Sequence, residues 1–113
     1  MLRQRSGTIF NISSTASTRG LKGNGLYFAT KFGVNGFGES LSKYLMENNI
    51  HIVTLCPGGI DTTWWDRSEY KYDKKLLIKP ADIAKLIETV LTLPKNVLFQ
   101  KAVFFPTCEV ETW

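Results

Sequence analysis

The sequence predicts an α/β fold in which three parallel strands alternate with helices. Short β-prone or apolar runs stand at residues 8–12, 50–56 and 97–105. Segments of helical periodicity separate them, over residues 26–48 and from Pro80 to Pro94. The middle run, Ile50-His51-Ile52-Val53-Thr54-Leu55-Cys56, is mostly apolar on both faces, as in a strand covered by helices on both sides. Alternation of this kind favours parallel pairing through crossover connections.

Each element has a local reason. Ser6-Gly7 reads as a turn, and Thr8-Ile9-Phe10-Asn11-Ile12 as the first strand. Residues 13–25 are rich in Ser, Thr and Gly and read as a loop. From Leu26 to Asn48 there is no proline, and Phe28, Phe32, Phe37, Leu41 and Leu45 recur at helical spacing. Gly33, Gly36 and Gly38 each weaken that helix by about 1 kcal/mol, which is tolerable where another backbone packs close. Asn48-Asn49 ends the helix, and Pro57-Gly58-Gly59 stops the second strand. Residues 61–79 are polar and aromatic with no clean period, a long loop with room for a short helical piece. Pro80 suits the first turn of a helix whose apolar face is Ile83, Leu86, Ile87, Val90 and Leu91. The third strand runs from Val97 to Phe105, stopped by Pro106. The order is β-α-β-loop-α-β.

A chain of 113 residues is one domain or part of one. Its net charge of +4 comes from scattered Lys and Arg with no basic stripe interleaved with aromatics, so no nucleic-acid partner is expected. Cys56 and Cys108 form no CxxC pair and read as reduced thiols of a cytoplasmic protein. No apolar run approaches the roughly 20 residues that span a bilayer. The N-terminus runs into a polar turn and does not read as a signal peptide. His51 has no partner pattern and reads as an exposed strand residue rather than a metal ligand.

Chemistry concentrates at three places. Asn11-Ile12-Ser13-Ser14 ends strand one, Tyr27-Phe28-Ala29-Thr30-Lys31 opens the long helix, and Pro57-Gly58-Gly59-Ile60-Asp61-Thr62 ends strand two. All lie at carboxyl ends of strands or at the start of the next helix, the edge where open α/β sheets bind ligands. Tyr27 and Lys31, four apart, share a helical face. A free phenol, with a pKa near 10, is a poor base at neutral pH, and a nearby ammonium favours the phenolate. Such a pair is a sensible acid/base unit. Tyr70-Lys71-Tyr72-Asp73-Lys74 repeats the spacing in the polar loop, but Pro57 stands 13 residues before its tyrosine, where Ser14 stands before Tyr27.

In residues 3–63 the chain resembles the short-chain dehydrogenase/reductase family. The resemblance rests on Gly7-Thr8-Ile9-Phe10-Asn11-Ile12-Ser13-Ser14, on Tyr27-x-x-x-Lys31-x-Gly33-Val34-x-Gly36-Phe37, and on Pro57-Gly58-x-Ile60-x-Thr62. It implies a partial Rossmann-like doubly wound fold and an oxidoreductase that moves a hydride between NAD or NADP and an alcohol or ketone. Tyr27 would be the general acid/base, Lys31 would tune it and bond the nicotinamide ribose, and Ser14 would orient the substrate oxygen. The Pro57-Gly58 turn, the Ile60 backbone and the Thr62 hydroxyl would hold the nicotinamide carboxamide. Trp64 and Trp65 begin the loop where the family places a substrate-covering lid; a pocket role and a cap over a small core both fit them. In the family the helix matching 26–48 often packs against its mate in a homodimer, with burial of Phe32 and Phe37 within the subunit as the alternative.

The departures matter as much. The family's glycine-rich turn, its selector for NAD or NADP, its Asn-Ala-Gly segment and the asparagine that completes its proton relay are all expected upstream of Met1. Gly20-Leu21-Lys22-Gly23-Asn24-Gly25 begins six residues after the strand ends and reads as an active-site loop rather than a phosphate cradle. The chain is therefore expected to be the C-terminal active-site half of one such domain, inactive alone. A non-catalytic relative, kept as an association or regulatory module, is the rival reading. The joint presence of Ser14, Tyr27 and Lys31 speaks against it.

Overall fold

A computed structural model describes every residue except Leu21, residues 69–71 and Trp113; for residues 110–112 only the backbone is described. The strands are β1 (Gly7–Ile12), β2 (Ile50–Pro57) and β3 (Lys101–Phe104), and the helices are α1 (Gly25–Leu45) and α2 (Pro80–Leu91). They form a parallel sheet in the order β1-β2-β3. The register runs from Gly7 against Ile50 to Ile12 against Leu55, then from Thr54 against Lys101 to Pro57 against Phe104. The central strand is β2, and all its residues but His51 are buried.

Strand alternation sends neighbouring side chains to opposite faces. Ile50 and Ile52 pack with Leu45 and Leu41 of α1 and with Ile9. Val53 and Leu55 pack with Ile83, Leu86, Ile87 and Val90 of α2 and with Phe10 and Phe104. The helices thus cover opposite faces, the doubly wound arrangement. Each fully buried aliphatic side chain contributes about 1.5–3 kcal/mol. No helix among the described residues is long and apolar enough to cross a membrane.

Of the three helix glycines, Gly38 alone meets a close approach. A Cβ there would lie 2.7 Å from Asn11 Nδ2 and 2.9 Å from Thr54 Oγ1, whereas Gly33 and Gly36 face open space. Side chains of β1 and β2, rather than the close backbone that was expected, therefore account for Gly38, and nothing of the kind accounts for the other two.

Several boundaries differ from expectation. The helix expected to Asn48 ends at Leu45; a 3-10 turn over Met46–Asn48 follows, and Asn49 adopts a left-handed φ of 53°, which asparagine tolerates. The first turn lies at Leu2–Arg5, where Arg5 N–H donates to the Leu2 carbonyl at 3.2 Å, and Gly7 already belongs to β1. The third strand is Lys101–Phe104 rather than 97–105. Val97 N–H turns back to the Pro94 carbonyl at 2.9 Å, so the ladder starts only where Thr54 N–H meets the Gln100 carbonyl. His51, expected exposed, is half-buried because β1 pairs beside it. The loop 61–79 carries 3-10 turns at Thr63–Arg67 and Lys74–Leu76. Its ends are held together by an Ile60–Ile78 bridge and by the Lys79–Asp61 ion pair at 2.9 Å.

Candidate active site

The sheet brings the ends of β1 and β2 side by side, and α1 starts above them. Ser13 N–H donates to the Leu55 carbonyl at 2.8 Å, which carries the ladder past the end of β1. Ser13 Oγ then donates to the Lys31 carbonyl at 3.2 Å, pinning the second turn of α1 to the strand end. Lys31 Nζ donates to the Ile12 carbonyl at 3.4 Å and lies 5.7 Å from the Tyr27 ring centroid. The ammonium and the phenol ring are thus neighbours, and the ammonium is tied to the strand that leads to Ser14. Ser13, read from sequence as a strand terminator, fastens the helix to it.

Ser14 caps a 3-10 turn, Thr15–Ser17, its hydroxyl oxygen accepting Ala16 N–H at 3.1 Å. No hydrogen bond joins Ser14 to Tyr27 among the described residues. Behind them lies a buried polar cluster that the sequence did not announce. Asn35 Nδ2 donates to the Ser17 carbonyl at 3.3 Å, Cys56 Sγ contacts Asn35 Oδ1 at 3.5 Å, and Ser17 Oγ contacts Cys56 Sγ at 3.5 Å. These bonds join the segment after β1, the middle of α1 and the end of β2. Asn35 lies four residues beyond Lys31, so the only sequence signal was a polar residue on the helix face that carries the pair.

On the β2 side, Gly58 N–H donates to the Phe104 carbonyl at 2.7 Å. Pro57 and Gly59 are buried and Gly58 is half-buried. The Ile60 carbonyl accepts Trp65 Nε1–H at 2.6 Å, and Thr62 Oγ1 accepts Trp64 N–H at 3.4 Å. The two tryptophans differ in their surroundings. Trp64 is 54% exposed and, with Asn24, Thr62, Thr63, Asp66, Arg67 and Ser68, lines an open cleft of about 820 Å³. Trp65 stacks edge-on against Trp64 and Tyr72, with ring centroids 4.6 and 4.8 Å away, and caps the Gly59 turn. Ser14, Tyr27 and Lys31 lie outside the cleft lining. The glycine-rich segment reaches the cleft through Asn24, the residue before α1. Tyr70 of the repeated tyrosine–lysine spacing lies outside the described residues.

Residues 1–73 match the family model for short chain dehydrogenases. The chain belongs to the short-chain dehydrogenase family. It is 30% identical over 107 residues to a sepiapterin reductase of Chlorobaculum tepidum, covering 95% of this chain and 43% of that protein. Over 62 residues it is 45% identical to the 3-oxoacyl-[acyl-carrier-protein] reductase FabG of Chlamydia trachomatis, covering 55% of this chain and 25% of that one. Among solved structures, a FabG of Bacteroides thetaiotaomicron superposes with a TM-score of 0.81 at 31% identity, covering 98% of this chain and 45% of that one. An alcohol dehydrogenase of Thermococcus sibiricus complexed with 5-hydroxy-NADP shares the fold, with a TM-score of 0.74 at 24% identity over 90% of this chain and 43% of that one. The chain spans less than half the length of the sepiapterin reductase and of both solved structures, and a quarter of the Chlamydia reductase. It is an oxidoreductase-family chain with the parallel sheet and flanking helices of its relatives.

Proposed function

We propose that this short-chain dehydrogenase chain is the active-site half of an oxidoreductase that interconverts an alcohol and a ketone with NAD or NADP. The observation that carries the reading is the Lys31 ammonium beside the Tyr27 ring, anchored to the strand end that leads to Ser14. In reduction Tyr27 Oη gives a proton to the substrate oxygen; in oxidation it takes one from the substrate hydroxyl. The Lys31 ammonium stands beside that phenol, 5.7 Å from the ring centroid. Ser14 Oγ accepts Ala16 N–H and keeps its own hydrogen to donate to the substrate oxygen. A bound nicotinamide would accept or supply the hydride.

The residues present suit that group. The Pro57-Gly58 turn leads into Ile60, whose carbonyl uses one of two lone pairs on Trp65, and Thr62 retains a hydroxyl hydrogen. A carboxamide can use both. Lys31 spends one of three N–H groups on Ile12, leaving others for ribose hydroxyls. Trp64 walls the substrate side, and Trp65 holds that wall against Ile60. The chain alone is inactive in this reading, since the relatives' other half is needed to complete the dinucleotide pocket. We place the protein in the cytoplasm, where the free thiols Cys56 and Cys108 stay reduced. Leu26, Phe37 and Tyr44 are 81%, 62% and 71% exposed along α1, which supports packing of this helix against a second copy.

The test is a chimera joining this chain to the preceding half of the Bacteroides reductase, assayed for nicotinamide-dependent reduction of a panel of ketones. Tyr27→Phe should lower kcat about 10²–10⁴-fold with the fold intact. An unchanged rate would end the assignment of Tyr27. Tight binding of NADH or NADPH by the isolated chain, read by nicotinamide fluorescence, would overturn its inactivity.

A further inference from the structure

The C-terminal turn, Thr107–Thr112, folds back over the end of β2. It places the Glu109 carboxylate on the glycine pair there, and Gly59 N–H donates to Glu109 Oε1 at 3.1 Å. A Cβ at Gly58 would stand 2.5 Å from Glu109 Oε2, and one at Gly59 would stand 2.7 Å from Glu109 Oε1. Phe105 Cβ, at 2.7 Å, crowds the same space at Gly58, and Leu77 Cδ2, at 2.9 Å, does so at Gly59, so the carboxylate sits in a turn that leaves no room for a side chain. Arg19, which follows the 3-10 turn capped by Ser14, lies near enough for its charge to act on the same carboxylate. Glu109 thus bonds the segment after β2 and lies within the field of a charge from the segment after β1, while belonging to neither.

We propose that Glu109 is a positioning residue, whose carboxylate holds the backbone from Gly58 to Thr62 in the conformation that receives the nicotinamide carboxamide. The assignment rests on the cofactor reading above. Its logic is a balance of costs. Burial pushes the Glu109 carboxyl above its ordinary pKa, and the Gly59 N–H and the Arg19 charge pull it back only in part. A glutamine would accept the Gly59 N–H without the cost of ionisation but would no longer answer the charge of Arg19. A carboxylate kept there at some cost to stability is explained by joining the two active-site segments. Ile60, next in the chain, is the residue assigned to the carboxamide, so freedom at Gly58 and Gly59 passes directly to it.

The test uses the ¹⁵N-labelled chain of 113 residues and nicotinamide mononucleotide, which carries the nicotinamide and ribose without the adenosine half. In the wild type the nucleotide should shift the amide signals of Ile60 and Thr62. In Glu109→Ala, amide exchange at Gly59 should rise about tenfold, the loss expected for one hydrogen bond, and the nucleotide response should vanish. Protection of Val53 and Leu55 in β2 should stay as it was, which separates a loosened turn from a loosened fold. Glu109→Gln should restore protection at Gly59, and Arg19→Ala should weaken the nucleotide response with Gly59 still protected. Unchanged exchange and an unchanged response in Glu109→Ala would overturn the proposal. A turn that loosens in a chain whose wild type never answers the nucleotide would overturn the cofactor reading instead, reducing Glu109 to a structural clip.

Discussion

Under α2 the sheet presents Phe10, Val53, Leu55, Ala102 and Phe104 to Ile83, Leu86, Ile87 and Val90. Under α1 the same sheet presents Ile9, Ile50 and Ile52 toward its foot, but Asn11, Thr54 and Cys56 toward the edge where the candidate site lies. The α1 side also buries Asn35, Ser42 and Ser17, and it holds Asn11 Nδ2 and Ser42 Oγ with no hydrogen-bond partner among the described residues. A buried polar group without a partner costs about 1–3 kcal/mol. One face is thus built for stability. The other accepts polar groups that fix where Ser14, Lys31 and the Pro57 turn stand.

The comparison breaks if the faces respond alike to substitution. Leu55→Ala, at a side chain with no exposed surface facing α2, should cost about 2–5 kcal/mol and shift the urea midpoint most among the changes considered. Asn35→Ala on the α1 side should cost less, about 1–3 kcal/mol, by orphaning the Ser17 carbonyl and the Cys56 thiol. Its larger signature should be local, with amide shifts at Ser14 to Ser17 and at Cys56 and little change in α2. A stability loss for Asn35→Ala matching that of Leu55→Ala, spread through both helices, would erase the distinction.

The apolar face was the legible one. Ile83, Leu86, Ile87 and Val90 recur at helical spacing, and the β2 run has no polar interruption except His51 and Thr54. Burial in a parallel sheet writes itself into sequence as continuous apolarity. Tyr27 and Lys31 were legible because one helical face fixes their relation without tertiary information. Glu109 was not. Its contact with Gly59 spans fifty residues and depends on a turn beyond β3, for which local pattern holds no signal. The same limit hid the Asn35–Cys56–Ser17 cluster, whose members come from three elements. It also left β3 too long, because a run of Val, Leu and Phe reads as strand whether or not β2 offers a partner beside it.

Glu109 sharpens the contrast through pH. Its ordinary pKa is 4.5 and its native value is raised, chiefly by desolvation. A carboxyl with a raised native pKa binds its proton more tightly folded than unfolded. Its contribution is therefore complete below the unfolded value and is lost as pH rises through the native one. Unfolding free energy should carry a small downward component as pH climbs from about 4.5, and Glu109→Gln should remove it. Urea titrations of the two proteins across the acid range read the difference. Parallel curves would show that ionisation of Glu109 has no cost.

The smallest effect concerns the outer surface of α1. Gly36 lies inside the helix, and a Cβ there would meet nothing within 4 Å. Gly36→Ala should therefore stabilise the isolated chain by up to about 1 kcal/mol, through helix propensity alone. Gly38→Ala, two residues on, should act in the opposite sense, because its Cβ would meet Asn11 and Thr54 beneath the helix. The sign at Gly36 also tests the exposed row of Phe37 and Tyr44. A helix surface that stays in solvent gains from alanine. One that packs closely on a second copy loses, because the added methyl group would separate the two backbones. Sedimentation of wild type and Gly36→Ala at matched concentration would tell them apart. A dimer weakened by alanine would mean that this glycine, open to solvent in the single chain, is kept for the partner helix.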